Sequence, residues 1–156
     1  LAVKPAQPIY FILNKVDLLD PEKGESIQGY VHNAQRYLRD IGFEQPIIIP
    51  TMASAALYAR KALSAETLTR AQRSKLRQVL DDLDVNKRDL LNATVAPDLV
   101  KRRVLTSLNN LERRQRTKAL DTRAYDKNQL HQLVTISGLK TVEALIHHQR
   151  RLDEQP

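Results

Sequence analysis

The sequence predicts an α/β fold in which a βαβ unit within residues 1–64 leads into a predominantly helical region. Two apolar runs, 8–13 (PIYFIL) and 47–49 between Pro46 and Pro50, have the unbroken hydrophobicity of parallel strands buried on both faces. Between them Ile27, Tyr30, Val31, Ala34, Tyr37, Leu38 and Ile41 recur at steps of three and four, which makes one apolar helical stripe. Beyond Pro50 the periodicity is helical to the end of the sequence.

The elements follow in order. After the first strand, Asp20 before Pro21 and Glu22 is a helix-start pattern, and Gly42 stands where a left-handed terminator is wanted. The second strand is fenced by prolines, which cannot donate to a ladder. Residues 53–63 form an Ala-rich helix, and Ser64 is placed to cap another carrying Leu68, Ala71, Leu76, Val79, Leu80 and Leu83. A break is expected at 84–86, then a short helical piece with Leu90, Leu91 and Val95. Pro97 can occupy the first turn of a longer helix through Val100, Val104, Leu108 and Leu111. Residues 121–125 read as a connection. Leu130, Leu133 and Val134 begin a helix that stops at Ser137 and Gly138, and Ser137 is placed to cap the last one, with Leu139, Val142, Leu145, Ile146 and Leu152 inward.

Composition excludes several classes of function. Cysteine is absent, so neither a disulfide framework nor a thiolate metal site exists. The four histidines, His32, His131, His147 and His148, lack ligand spacing and read as solvated, so no metal site is expected. No apolar run approaches a membrane span, and no signal-peptide pattern opens the sequence. The first residue is Leu1, close to a strand, which reads as a cut through a larger protein. Residues 65–125 carry fourteen of the 25 Lys and Arg but only eight of the 18 Asp and Glu, so the net charge of +7 is concentrated there.

The residues with a chemical signature are Asn14, Lys15, Val16 and Asp17, an NKxD pattern directly after the first strand. Polar groups at the carboxyl end of a parallel strand lie where open α/β sheets bind ligands. A carboxylate such as Asp17 can accept from the N1 and N2 donors of guanine, which adenine cannot supply. The Lys15 stem can lie along a purine face, and the Asn14 amide can bridge the base edge to backbone. The competing reading is a polar turn with a solvated lysine.

FILNKVDLLDP resembles the guanine-specificity motif of P-loop GTPases, and IIIPTMASAALYARKAL is similar to the strand and loop on the other side of the base in bacterial dynamin-like GTPases. Ungapped, Pro50, Thr51, Met52 and Ala53 fall on the family's Pro, apolar, Ser, Ala; Met52 departs from the usual Ser, and Ser54 with Ala55 is the shifted alternative. LVTISGLKTVEALI, residues 133–146, is similar to the segment that opens the last helix of that GTPase domain. The resemblance implies the C-terminal part of a GTPase domain in residues 1–64, a basic helical segment at 65–125, and final GTPase-domain helices leading to a neck at 126–156. It implies Asn14, Lys15, Asp17, Met52 and Ala53 around guanine, with GTP and magnesium in the parent protein. It also implies a cytoplasmic GTP hydrolase with a membrane-remodelling role, peripheral at the inner face of a membrane.

No GxxxxGK[ST] phosphate loop is present, so this chain is expected neither to hydrolyse GTP alone nor to hold a cofactor. Lys101, Arg102, Arg103, Arg113, Arg114 and Arg116 can contact an anionic surface; a solvated helix face is the competing reading. Nucleic acid is disfavoured because no aromatics interleave the charges. The main alternative is a non-catalytic helical interaction module that binds nucleic acid through the Arg-rich face. Another P-loop GTPase class, such as a septin or translation factor, is disfavoured by the long helical continuation. Exposed strand edges make self-association an expectation.

Overall fold

The computed structural model describes residues 8–115 and 125–154, and it is mostly helical with one small parallel sheet. Strand β1 (Tyr10–Asn14) pairs in parallel with β2 (Ile47–Thr51), Tyr10 opposite Ile47 and Asn14 opposite Thr51. Helix α1 (Ile27–Asp40) connects them, as its apolar stripe predicts.

The sheet has helices on both faces because successive side chains alternate. Phe11, Leu13 and Ile48 pack towards Val31 and Leu38 of α1, and Phe11 meets Phe43 edge to face at 4.9 Å. Tyr10, Ile47 and Ile49 pack towards α5 (Asp98–Gln115) and α7 (Leu139–Asp153) through Val100, Val104, Ala144 and Leu145. A larger cluster joins α2 (Ala53–Leu63), α3 (Arg70–Asn86), α5 and α6 (Lys127–Ile136) around Ala55, Leu76, Leu108, Leu130 and Leu133.

Several local expectations are corrected by competing interactions. The expectation that β1 is buried on both faces fails: Ile12 is 51% exposed, because among the described residues β1 has only β2 beside it. Asp20 caps a single 3₁₀ turn, Pro21–Lys23, rather than α1, because Gly24 turns left-handed at φ 78° and ends it. Ser26 caps α1 instead, its hydroxyl oxygen accepting from the Gly29 N–H at 3.0 Å. Tyr30, Tyr37 and Ile41 of the expected stripe lie at its solvent side. Ser64 ends α2, and a capping box between Thr69 and Gln72 starts α3, which leaves Ala71 exposed and runs through 84–86 without the expected break. Helix α4 (Asp89–Ala93) stops before Val95, which forms an antiparallel bridge with Ile48 at 2.8 and 2.9 Å.

That bridge explains the proline inside β2. Ile48 donates to Val95, and the Met52 N–H donates to the Ser137 carbonyl at 2.9 Å. N–H groups alternate along a strand, so the Pro50 nitrogen points to the same edge, between those two bonds, where no donor is needed. Gly138, left-handed at φ 85°, is the N-cap of α7, with Ser137 supporting through a 3.4 Å contact from the Leu139 N–H. Ile146 and Leu152, expected inward, are half exposed, and the α7 interior is Thr141, Ala144 and Leu145. Most of the expected 121–125 connection, and Arg116, lie outside the described residues. No described helix is long and apolar enough to cross a membrane.

Candidate functional site

Parallel pairing in register carries Asn14 and Thr51 to the same end of the sheet. There the Asn14 Oδ1 accepts from the Thr51 hydroxyl at 3.1 Å and from the Ala53 N–H at 3.2 Å. One amide oxygen thus ties the end of β1 to the end of β2 and to the first turn of α2, whose N-terminal N–H groups have no partner inside the helix. The N–H that the sequence reading assigns to the base is therefore engaged with Asn14. We expect Asn14→Ala to cost about 1–2 kcal/mol, two modest hydrogen bonds, measured by chemical denaturation. An unchanged midpoint would show that the tie contributes nothing.

Lys15 is left-handed at φ 68°, a conformation that costs a non-glycine residue about 1–2 kcal/mol, and it turns the chain out of β1 into a 3₁₀ turn, Val16–Leu18. Val16 fills the core below, while Lys15 is exposed. Asp17 is turned inward. Its side chain is only 5% exposed, its Oδ2 lies 3.0 Å from the Lys75 Nζ of α3, and the same ammonium reaches the Asp17 carbonyl at 3.4 Å. The Asp17 Oδ1 is buried with no hydrogen-bond partner among the described residues. Removing water from a carboxylate oxygen without replacing its bonds is costly, so this oxygen is an unsatisfied acceptor.

A cavity of about 370 Å³ adjoins this carboxylate, with Val16, Leu19, Met52, Val79 and Ile136 among its apolar walls and Asp82 and Asp89 among its polar ones. Met52 is 7% exposed and packs into the helical core, so its thioether takes the space a serine hydroxyl would leave polar. In the shifted alternative, Ser54 is exposed and Ala55 is fully buried inside α2. The acceptor chemistry of Asp17 fits a guanine edge, but Lys75 holds one of its two oxygens. Both oxygens become free to pair with a base only when Lys75 moves away. Lys75 is 58 residues from Asp17 in sequence, and no local pattern marks it.

The basic residues separate into two places. Lys101, Arg102 and Arg103 lie near the start of α5 and Arg113 and Arg114 in its last turn, so one helix does not present them as one patch. Arg103 instead faces α7 across a cleft shared with Lys140, His147 and Arg151. Glu143, in the same cleft, accepts from Arg60 and from Lys140, both at 2.7 Å. Burial pushes its pKa up, but the two hydrogen bonds and the charges behind them outweigh this and hold it below the ordinary carboxylate value. Tyr10 is shifted upward, by burial and then by the charge of Asp153. Among the described residues no group of three or more His, Asp or Glu is arranged to hold a metal ion. No family model, curated protein or solved structure matches this chain.

Proposed function

We propose that this chain is the guanine-recognition part of a dynamin-like GTP-binding and hydrolysing protein, with phosphate loop, magnesium site and catalytic water supplied by other parts of the parent polypeptide. The observation that supports the reading is the bond set at Asn14, which ties the carboxyl ends of both parallel strands and the start of α2 together beside Asp17, at the end of the sheet where open α/β sheets bind ligands. In this reading Asp17 reads the base edge, the Lys15 stem covers a ring face, and Met52 and Ala53 bound the other side. Guanine nucleotide is the ligand, and membrane remodelling from a cytoplasmic, peripheral position is the role.

The experiment is nucleotide preference in a polypeptide that includes the phosphate loop. Asp17→Asn places an amide donor opposite the guanine N2 donor, costing GTP binding about 1–3 kcal/mol, and it favours xanthine, which presents an oxygen there. A variant that still prefers GTP to XTP would eliminate Asp17 as the base reader. The second reading, a helical interaction module without nucleotide, is favoured by the closed Lys75–Asp17 pair, in which an ammonium already holds one of the two carboxylate oxygens. It predicts no preference between GTP and XTP in either form.

A further inference from the structure

Helices α5 and α7 pack through small and branched side chains, and their close approach leaves an open cleft of about 420 Å³ along the seam. Its floor is Val104 and Ala144, both buried. Its rim is polar: Arg103 comes from α5, and Lys140, His147 and Arg151 come from α7 at positions i, i+7 and i+11, which share one helix face. Among the described residues, two guanidinium groups and one ammonium therefore line the cavity, against the single carboxylate of Glu143.

That carboxylate does not neutralise the rim. Both of its oxygens are taken, one by Arg60 of α2 and one by Lys140, each at 2.7 Å. Arg103 and Arg151 are exposed and enter no ion pair among the described residues, so their guanidinium donors face the cleft uncompensated. Two guanidinium forks with an ammonium and an imidazole beside them match a tetrahedral dianion, because each fork can donate two parallel N–H bonds to phosphate oxygens. An apolar floor under the cations lowers the local dielectric and strengthens that attraction over an open surface.

We propose that the α5–α7 cleft is a binding site for a phosphate monoester group, held by Arg103 and Arg151 with Lys140 and His147 at its edge. The site is independent of the guanine reading, since it shares no residue with it. It also redraws the anionic surface expected from sequence: of the cluster at 101–103 only Arg103 lines it, and its partners lie on another helix.

The test uses inorganic phosphate as probe, followed by amide chemical shifts at low ionic strength. Saturable shifts confined to α5 and α7 are expected. The double variant Arg103→Gln/Arg151→Gln should weaken binding tenfold or more, and Arg102→Gln/Arg150→Gln should change it less than twofold. The two variants remove equal charge from adjacent exposed positions of the same helices, so their difference isolates the cleft from the general field. Vesicles of phosphatidylcholine carrying phosphatidic acid or, at equal charge, phosphatidylserine then separate the sources. Retention favouring phosphatidic acid, and lost with Arg103 and Arg151, assigns the phosphate to a lipid headgroup. Phosphate binding without that retention assigns it to a soluble phosphate compound. Absence of saturable shifts, or equal losses in the two double variants for phosphate, vesicles or duplex DNA, would overturn the site in favour of diffuse charge.

Discussion

Gly138→Ala is expected to destabilise the chain by about 2–5 kcal/mol, a large share of the roughly 5–15 kcal/mol that holds a typical domain together. A methyl group built on Gly138 would lie 2.2 Å from the Pro50 carbonyl oxygen and 2.8 Å from the Thr51 Cγ2. The first obstacle is backbone of β2, which cannot move without breaking its register with β1, so overpacking of about 1–3 kcal/mol is unavoidable. The left-handed φ of 85° adds about 1–2 kcal/mol for any residue with a Cβ. Gly24→Ala is the matched control: Gly24 is also left-handed, at φ 78°, but nothing lies within 4 Å of the added methyl. It should therefore show only the conformational term. Urea denaturation of both variants checks the argument, and similar losses would mean that the contact with Pro50 is not what matters. Because the Ser137 carbonyl receives the Met52 N–H, the damage at Gly138 should also loosen the site, seen as faster exchange of the Met52 amide.

Lys75→Met should cost about 3 kcal/mol, since it strands the Asp17 carboxylate without the cation paired with it, in a place where the side chain is 5% exposed. The reverse deletion is expected to be milder. With Asp17→Asn the Lys75 ammonium, 23% exposed, can turn to water, so the cost is about 1 kcal/mol. The double variant Lys75→Met/Asp17→Leu removes both charges and should recover most of the loss, because a buried ion pair replaced by apolar groups is often close to neutral. Denaturation midpoints of the three proteins measure this asymmetry. Equal costs for the two single variants would show that Asp17 is better solvated than its burial implies.

Much of the backbone plan is legible in the sequence. The two strands, helix α1 and the 53–63 helix lie where the apolar runs, the steps of three and four and the Ala-rich stretch place them, although Tyr30, Tyr37 and Ile41 of the α1 stripe face solvent. The misplacements cluster at helix ends. Ser64, Asp20 and Ser137 each had the chemistry of a cap, yet Thr69, Ser26 and Gly138 took the N-cap positions of the following helices. Several polar residues in each connection can accept from a free N–H, and the choice among them depends on where the helix must lie to bury its apolar face. Val95 shows the same limit in a different way: its sequence continues a helical pattern, while its backbone completes the edge of β2.

The candidate site divides along the same line. The sequence by itself determined that Asn14, Lys15 and Asp17 follow a strand, that a second strand delivers Thr51 to Ala53, and that positive charge is concentrated in 65–125, because these are properties of order and composition along the chain. Only the tertiary structure decided that Asn14 bonds across to Thr51 and Ala53, that Lys75 closes on Asp17, and that Arg103 shares a cleft with Lys140 and Arg151. Each of those contacts joins residues 37 or more positions apart, brought together by packing α3, α5 and α7 around the sheet. Local propensity carries no information about such pairs: their partners are chosen by burial of the aliphatic faces, and polar side chains bond to whatever that packing brings within reach.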